Sequence, residues 1–117
     1  MKYNWFRLEE FNCTHTNKNE MDPEFIHRLD LLRERVGFPM IVTSGYRDIT
    51  HPAEINKPEP GYHTKGLAAD IKVTNGFERM NIVHEALKLN FGGIGVSKTF
   101  IHIDDRKTTP VMWTYSN

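Results

Sequence analysis

Three side chains in two short segments have the chemistry of a catalytic metal site. His63 and Asp70 lie within residues 61–71, and His102 lies within residues 100–106. Two imidazoles and one carboxylate are ligands that Zn²⁺ accepts, and together they leave the fourth corner of a tetrahedron open. A water molecule in that corner has its pKa lowered to about 7, which makes it a nucleophile at neutral pH. The sequence therefore predicts a small zinc hydrolase.

Composition sets the limits within which this site must be built. The chain has 117 residues, 38% of them hydrophobic, so we expect a single domain over residues 1–117. Fifteen basic and fifteen acidic residues give a formal charge of zero, which argues against nucleic acid and anionic membranes as partners. The single cysteine, Cys13, excludes an intrachain disulfide. The start of the chain lacks an apolar run of signal-peptide length, so we expect synthesis in the cytoplasm.

Two helices are predicted from capping residues and apolar spacing. The first begins after the N-cap Asp22, has Pro23 at its first position and ends at Gly37. The second runs from the N-cap Asn75 to about Asn90. Its apolar stripe is predicted to comprise Met80, Ile82, Val83, Ala86 and Leu87.

Short runs with strand character lie between and after the helices. They are residues 40–43, 67–73, 94–96, 100–104 and 111–115. Because these runs do not alternate strictly with helices, we expect an α+β domain rather than a parallel α/β one. The predicted architecture is a small, mainly antiparallel sheet with flanking helices on one face.

Strand periodicity places the candidate ligands on a shared face. Side chains two residues apart point the same way, so Asp70 faces away from Ile71 and the rest of the apolar set. By the same rule His102 and Asp104 point together, into the space that Asp70 borders. His63 lies in the loop that enters the Asp70 strand, from which its imidazole can reach the same ion.

Four motifs in a fixed order resemble a known family. They are His63-x-x-Gly66-x-Ala68-x-Asp70-Ile71, the upstream Ser44-Gly45-Tyr46-Arg47, the Gly92-Gly93-Ile94-Gly95 run and the closing Phe100-Ile-His102-Ile-Asp104. Over roughly residues 22–106 the chain resembles the zinc D-alanyl-D-alanine peptidases, which include peptidoglycan carboxypeptidases and bacteriophage endolysins. The resemblance implies a hedgehog-like fold and zinc held by His63, Asp70 and His102. It also implies hydrolysis of a peptide bond beside a D-amino acid in a peptidoglycan stem peptide.

The resemblance further implies which residues meet the substrate. Arg47 matches the family arginine that helps to bind substrate and to stabilise the transition state. Ser44 and Tyr46, from the same motif, are predicted to contact substrate as well. His51 follows this motif in a loop that would line the cleft, so it joins the predicted substrate-binding set.

The general base is not inherited from the commoner patterns of the family. Many members have a histidine two residues before the last ligand, where this chain has Phe100, and others have a glutamate three residues before it, where this chain has Thr99. We predict Asp104 as the base, because it shares a strand face with His102 and resembles the His-x-Asp form of short phage-type members. The alternatives are Asp105, Glu59 and His51.

Two classes of function remain open at this stage. The first is a monomeric cell-wall hydrolase that acts on the wall after release, either as a phage-encoded lysin or as a fragment of a larger tail or secreted protein. The second is a zinc-binding structural or recognition module of the same fold without peptidase activity. A hydrolase of another amide is a remoter reading, because zinc and a carboxylate do not by themselves select D-Ala-D-Ala. Trp113 is expected to pack rather than to bind substrate.

Overall fold

The computed structural model describes residues 3–59 and 61–116. Its helices are α1 (Pro23–Val36) and α2 (Gly76–Lys88), with short 3-10 helices at Leu8–Phe11 and Tyr62–Lys65. Its strands are β1 (Val42–Ser44), β2 (Ala68–Lys72), β3 (Gly93–Val96), β4 (Phe100–Asp104) and β5 (Val111–Thr114). The α+β class predicted from the sequence is confirmed.

The strands form one sheet in the order β1-β2-β4-β3-β5. Strand β2 pairs antiparallel with β1 and β4, and β4 pairs antiparallel with β3. Only β5 runs parallel to its neighbour, β3, among the described strands. The predicted mainly antiparallel sheet is therefore confirmed, and the β2–β4 register sets Asp70 directly opposite His102.

Both helices begin at the predicted caps. The Asp22 carboxylate accepts a hydrogen bond from the backbone N–H of Glu24 at 2.8 Å, and Pro23 occupies the first helical position. Helix α1 ends at Gly37, whose φ of 76° lies in the left-handed region that favours glycine. The Asn75 side chain caps α2 in the same way, and this helix ends at Lys88, two residues before the predicted end.

The apolar stripe predicted for α2 is only partly correct. Ile82 and Ala86 are buried, but Met80 and Leu87 are 73% and 54% exposed. Successive residues of an α-helix lie about 100° apart, so Met80 is about 200° from Ile82, and Leu87 about 100° from Ala86. The sheet covers one side of α2, and these two side chains therefore project into solvent.

The hydrophobic core lies between the two helices and one face of the sheet. Ala69 and Ile71 of β2 and Ile101 and Ile103 of β4 are fully buried there. The alternation of strand side chains sends Asp70, His102 and Asp104 to the opposite face, as the sequence predicts. Within the described part of the chain, no helix combines the length and apolarity needed to cross a bilayer.

Candidate metal centre

His63 reaches the site from a short turn that glycine makes possible. It lies in the 3-10 helix Tyr62–Lys65, which ends at Gly66 with a φ of 72°. A Cβ at Gly66 would overlap the carbonyl oxygen of Glu20, so both the backbone angle and the close approach require glycine. His63 Nδ1 lies 2.8 Å from the Gly45 carbonyl oxygen, which can only accept a hydrogen bond. Nδ1 therefore carries the proton, and Nε2 keeps a free lone pair.

The three predicted ligands meet on the polar face of the sheet. Asp70 Oδ1 lies 3.0 Å from His102 Nδ1 and 3.3 Å from His63 Nε2. One ligand atom from each of these residues lies within 4.8 Å of the others, and all three side chains are buried. Two imidazole nitrogens and one carboxylate oxygen form a donor set that suits zinc and leaves one position open. The residues present thus fit the metal that the sequence predicts.

The electrostatics of the site keep Asp70 ionised. Burial alone would raise the pKa of Asp70, but its contacts with the His102 and His63 imidazoles outweigh burial and hold the pKa well below its ordinary value. Burial alone would lower the pKa of His102, but hydrogen bonds to Asp104 and Asp70 outweigh it and raise the pKa. The raised pKa of His102 reflects the negative charge of the two carboxylates beside it, which a bound cation would offset.

Arg47 extends into the site beside Asp70. Its Nη2 lies 3.4 Å from Asp70 Oδ2 and its Nη1 lies 3.0 Å from Glu54 Oε2. Its Nε donates to the hydroxyl oxygen of Ser44 at 3.1 Å. Ser44 therefore meets Arg47, and it is not among the described residues that line the cleft.

Glu54 is a functional candidate that sequence reasoning missed. It is 4% exposed, and its carboxylate accepts from the Gly61 N–H at 2.9 Å, from Arg47 at 3.0 Å and from Lys57 at 3.1 Å. Burial would raise the pKa of Glu54, but these donors, the Gly61 N–H first, lower it. Glu54 holds Arg47 in the cleft and fixes the segment that leads to His63. It lies in a loop without periodicity, so no sequence signal singled it out.

A cleft of about 320 Å³ opens onto the three candidate ligands. Its other lining residues are Arg47, Lys57, Gly61, Tyr62, Phe100, Arg106, Trp113 and Tyr115. The Phe100 and Tyr115 rings lie 5.0 Å apart, and the Trp113 ring lies 5.1 Å from the His102 ring. Trp113 thus packs against the His102 ring and also forms part of the cleft wall, so packing without substrate contact stays a prediction.

Several predicted site residues lie elsewhere. Tyr46 is 6% exposed and belongs to the core, and its hydroxyl donates to Glu20 at 3.3 Å, which corrects the predicted contact with substrate. His51 is half-buried, lies outside the described cleft lining and meets the Thr14 hydroxyl at 3.3 Å. Glu59 is exposed and also lies outside that lining.

The two acids that follow His102 point in different directions. Asp104 is fully buried, and its carboxylate lies 2.8 Å from His102 Nε2 and 2.7 Å from Arg106. Asp105 pairs instead with Arg28 of α1 at 3.1 Å. Asp104 therefore contacts the site through a ligand and does not line the cleft itself.

A comparison with protein families agrees with this site. The family model described as Peptidase M15 matches residues 4–104, which include all three candidate ligands and both helices. No curated protein matches the chain. The family match covers well over half of the sequence and ends at Asp104.

Proposed function

The chain belongs to the Peptidase M15 family, and we propose that it hydrolyses a peptide bond next to a D-amino acid in peptidoglycan stem peptides. Peptidases of this family are zinc-dependent and act on peptidoglycan peptides. The observation that carries the proposal is the buried group of His63, Asp70 and His102, which opens onto a cleft. Its donor set leaves a position for a reacting water.

The residues that would hold the ion are fixed by their hydrogen bonds. His63 would bind through Nε2, His102 through Nδ1 and Asp70 through its carboxylate. A zinc ion at this position supplies a Lewis acid for the scissile carbonyl and a water of lowered pKa. The strands hold two of the three ligands on neighbouring backbones, so little reorganisation is needed when substrate binds.

Arg47 is the residue of this chain that we assign to the developing negative charge. A guanidinium has five N–H donors, and three contacts engage it here, to Ser44, Glu54 and Asp70. The remaining N–H groups can donate to the carbonyl oxygen of a substrate in the cleft. Preorganised donors of this kind stabilise the transition state more than the ground state.

The charges and aromatic rings of the cleft walls favour a peptide substrate with a free carboxylate. Lys57 and Arg47 place two cations on the lining, and Phe100, Trp113 and Tyr115 offer an aromatic surface for apolar parts of the substrate. Lys57 is held only by Glu54 among the described residues, and its side chain is 45% exposed. It is therefore accessible to an anionic group that approaches the metal centre.

Product analysis on defined muropeptides tests the proposed function. Zinc-loaded protein is incubated with stem peptides that end in D-Ala-D-Ala and with cross-linked dimers, and the products are identified by mass spectrometry. Release of terminal D-alanine indicates a carboxypeptidase, whereas cleavage within the cross-link indicates an endopeptidase. The His63→Ala variant should release nothing. A zinc-loaded wild type that yields no product from either substrate would contradict the proposal.

A second function is favoured by one feature of the cleft. Asp70 is the only carboxylate among its described lining residues, so no free acid is seen there to take a proton from the water. This feature fits a zinc-dependent recognition module without peptidase activity. Zinc-dependent sedimentation with purified peptidoglycan, without release of peptides, would support this second function.

The proposed substrate lies outside the cytoplasmic membrane, so the chain must reach the wall in order to act. We propose that it does so as a bacteriophage endolysin, after release from the cell that made it. The optical density of bacteria should fall when the protein is added after membrane permeabilisation. An unchanged optical density, with active protein on soluble muropeptides, would contradict the endolysin role alone.

A further inference from the structure

His102 is held between two carboxylates on opposite edges of its ring. Asp70 lies 3.0 Å from Nδ1, and Asp104 lies 2.8 Å from Nε2. Because Asp70 is one of the candidate ligands, the nitrogen of His102 beside it, Nδ1, is the one that faces the candidate metal position. Asp104 is therefore separated from the metal position by the width of the imidazole. A general base must lie within hydrogen-bond distance, about 3 Å, of the group whose proton it removes, or reach that group through one water. Asp104 lies at the Nε2 edge of the ring, and the metal position lies at the Nδ1 edge.

The hydrogen-bonding capacity of Asp104 is already used by other groups. Arg106 donates from Nε to Oδ1 at 2.8 Å and from Nη2 to Oδ2 at 2.7 Å, which is a bidentate pair. The backbone N–H of Arg106 adds a third contact, to Oδ1 at 3.2 Å. His102 supplies the fourth contact, and the carboxylate has no exposed surface. A substrate or a reacting water has no access to it in this arrangement.

We propose that Asp104 is a positioning residue for His102 and not the general base. It accepts the Nε2–H of His102, which selects the tautomer whose Nδ1 lone pair points at the metal. Arg106 holds the Asp104 carboxylate in the orientation that this hydrogen bond requires. The inference rests on the zinc site of the proposed function, but it does not require that the chain cleaves peptides.

The surroundings of this pair are built to keep it in place. The Arg106 guanidinium lies over the Tyr62 ring at 4.6 Å and over the Trp113 ring at 5.0 Å. Gly93 of β3 lies against Asp104, and a Cβ there would overlap the carboxylate. Gly93, the first residue of β3, thus makes room for Asp104. Four separate segments therefore fix one hydrogen bond to His102.

Zinc affinity separates a positioning residue from a base. Competition with a chromogenic chelator gives the zinc dissociation constant for wild type, Asp104→Ala and Asp104→Asn. We expect Asp104→Ala to weaken zinc binding about 10- to 100-fold, the effect typical of losing a hydrogen-bond partner of a ligating histidine. Asp104→Asn keeps the shape and an acceptor oxygen for Nε2–H, so it should recover part of that loss. The absorption spectra of the cobalt-substituted proteins should also differ from that of the wild type, more for Asp104→Ala than for Asp104→Asn.

Asp105→Asn is the matched control, because Asp105 is the neighbouring buried acid but pairs with Arg28. Its zinc affinity should equal that of the wild type. The proposal is overturned if both Asp104 variants bind zinc as tightly as wild type. Hydrolysis is measured separately on the same samples. If the Asp104 variants lose zinc affinity as predicted but the zinc-loaded wild type cleaves nothing, the proposed peptidase function is contradicted and this inference stands.

Discussion

The two faces of β2 and β4 are both buried, yet they are built from opposite chemistry. On one face Ile71, Ile101 and their neighbours have no exposure and pack against the helices. On the other face Asp70 and His102 are 7% exposed, and Asp104 is not exposed at all. One pair of strands therefore carries an apolar core and an ionic site, separated only by the thickness of the sheet.

The difference between the faces lies in what each residue requires from its neighbours. Apolar side chains need only a filled volume of about the right shape. Buried charged groups need a specific partner for each polar atom. In the described part of the chain, no buried side-chain nitrogen or oxygen lacks a hydrogen-bond partner. The ionic face is thus a connected network, in which removing one partner leaves another buried polar group unpaired.

The sharpest test of this comparison uses two adjacent residues of β4 that point to opposite faces. Ile103→Ala should lower the free energy of unfolding by about 2–5 kcal/mol, because it leaves a cavity in the core. It should keep the stabilisation by zinc, which is about 2.7 kcal/mol at a zinc concentration 100 times the dissociation constant. His102→Ala should lose that zinc-dependent gain completely. Denaturant unfolding with and without zinc measures both effects, and a zinc-dependent gain in His102→Ala would contradict the assignment.

Arg47→Ala should have the next largest effect, on catalysis. Loss of a donor to the developing oxyanion lowers kcat by about 10²- to 10³-fold. Steady-state kinetics on a muropeptide measure this effect. Arg35→Ala serves as the control, since Arg35 lies on α1 and pairs with Glu85, and its kinetics should match the wild type. An Arg47→Ala variant with unchanged kcat and a raised KM would reassign Arg47 to anchoring the substrate.

Glu54→Gln should lower the free energy of unfolding by about 1.5 kcal/mol at pH 7, because charge-assisted hydrogen bonds are lost. The pKa of Glu54 is lowered in the folded protein, so its stabilisation is present above the ordinary value of 4.5 and is lost as pH falls through the folded value. The difference from wild type should therefore shrink in acid. Glu59→Gln, an exposed acid of the same loop, should show no difference at either pH. If the difference in unfolding free energy between Glu54→Gln and wild type stays constant down to acid pH, Glu54 is not a buried, ionised residue.

The smallest effect is expected on the solvent side of α2. Met80→Gln should change the free energy of unfolding by less than about 0.5 kcal/mol, because the side chain is 73% exposed. Ile82→Gln, two residues away and fully buried, is the contrasting variant and should be strongly destabilised. If thermal or denaturant unfolding shows that both variants lose the same stability, α2 packs through the whole stripe predicted from the sequence.

The candidate ligands and the sheet could be predicted from the sequence because both depend on local rules. Alternation along β2 and β4 fixes the faces of Asp70 and His102, and the caps at Asp22 and Asn75 fix the helix starts. The prediction for Tyr46 was wrong, because its backbone N–H is held by Phe11 at 2.8 Å and its ring turns into the core. That contact joins segments far apart in sequence, which no local pattern reveals.

The roles of acids around the site were harder to predict for a related reason. Strand periodicity places Asp104 on the face of His102, but it does not say which edge of the imidazole the carboxylate meets. Glu54 gains its importance from Arg47 and Gly61, seven residues away on either side, through a folded loop. Such contacts depend on tertiary structure and become visible only there.

Metal content is the most direct test of the central claim that His63, Asp70 and His102 hold one zinc ion. The protein is reconstituted with zinc, desalted and measured by elemental mass spectrometry beside Asp70→Asn. We predict one zinc per chain in the wild type and none above background in the variant. A wild type without stoichiometric zinc, or a variant that retains it, would contradict the claim.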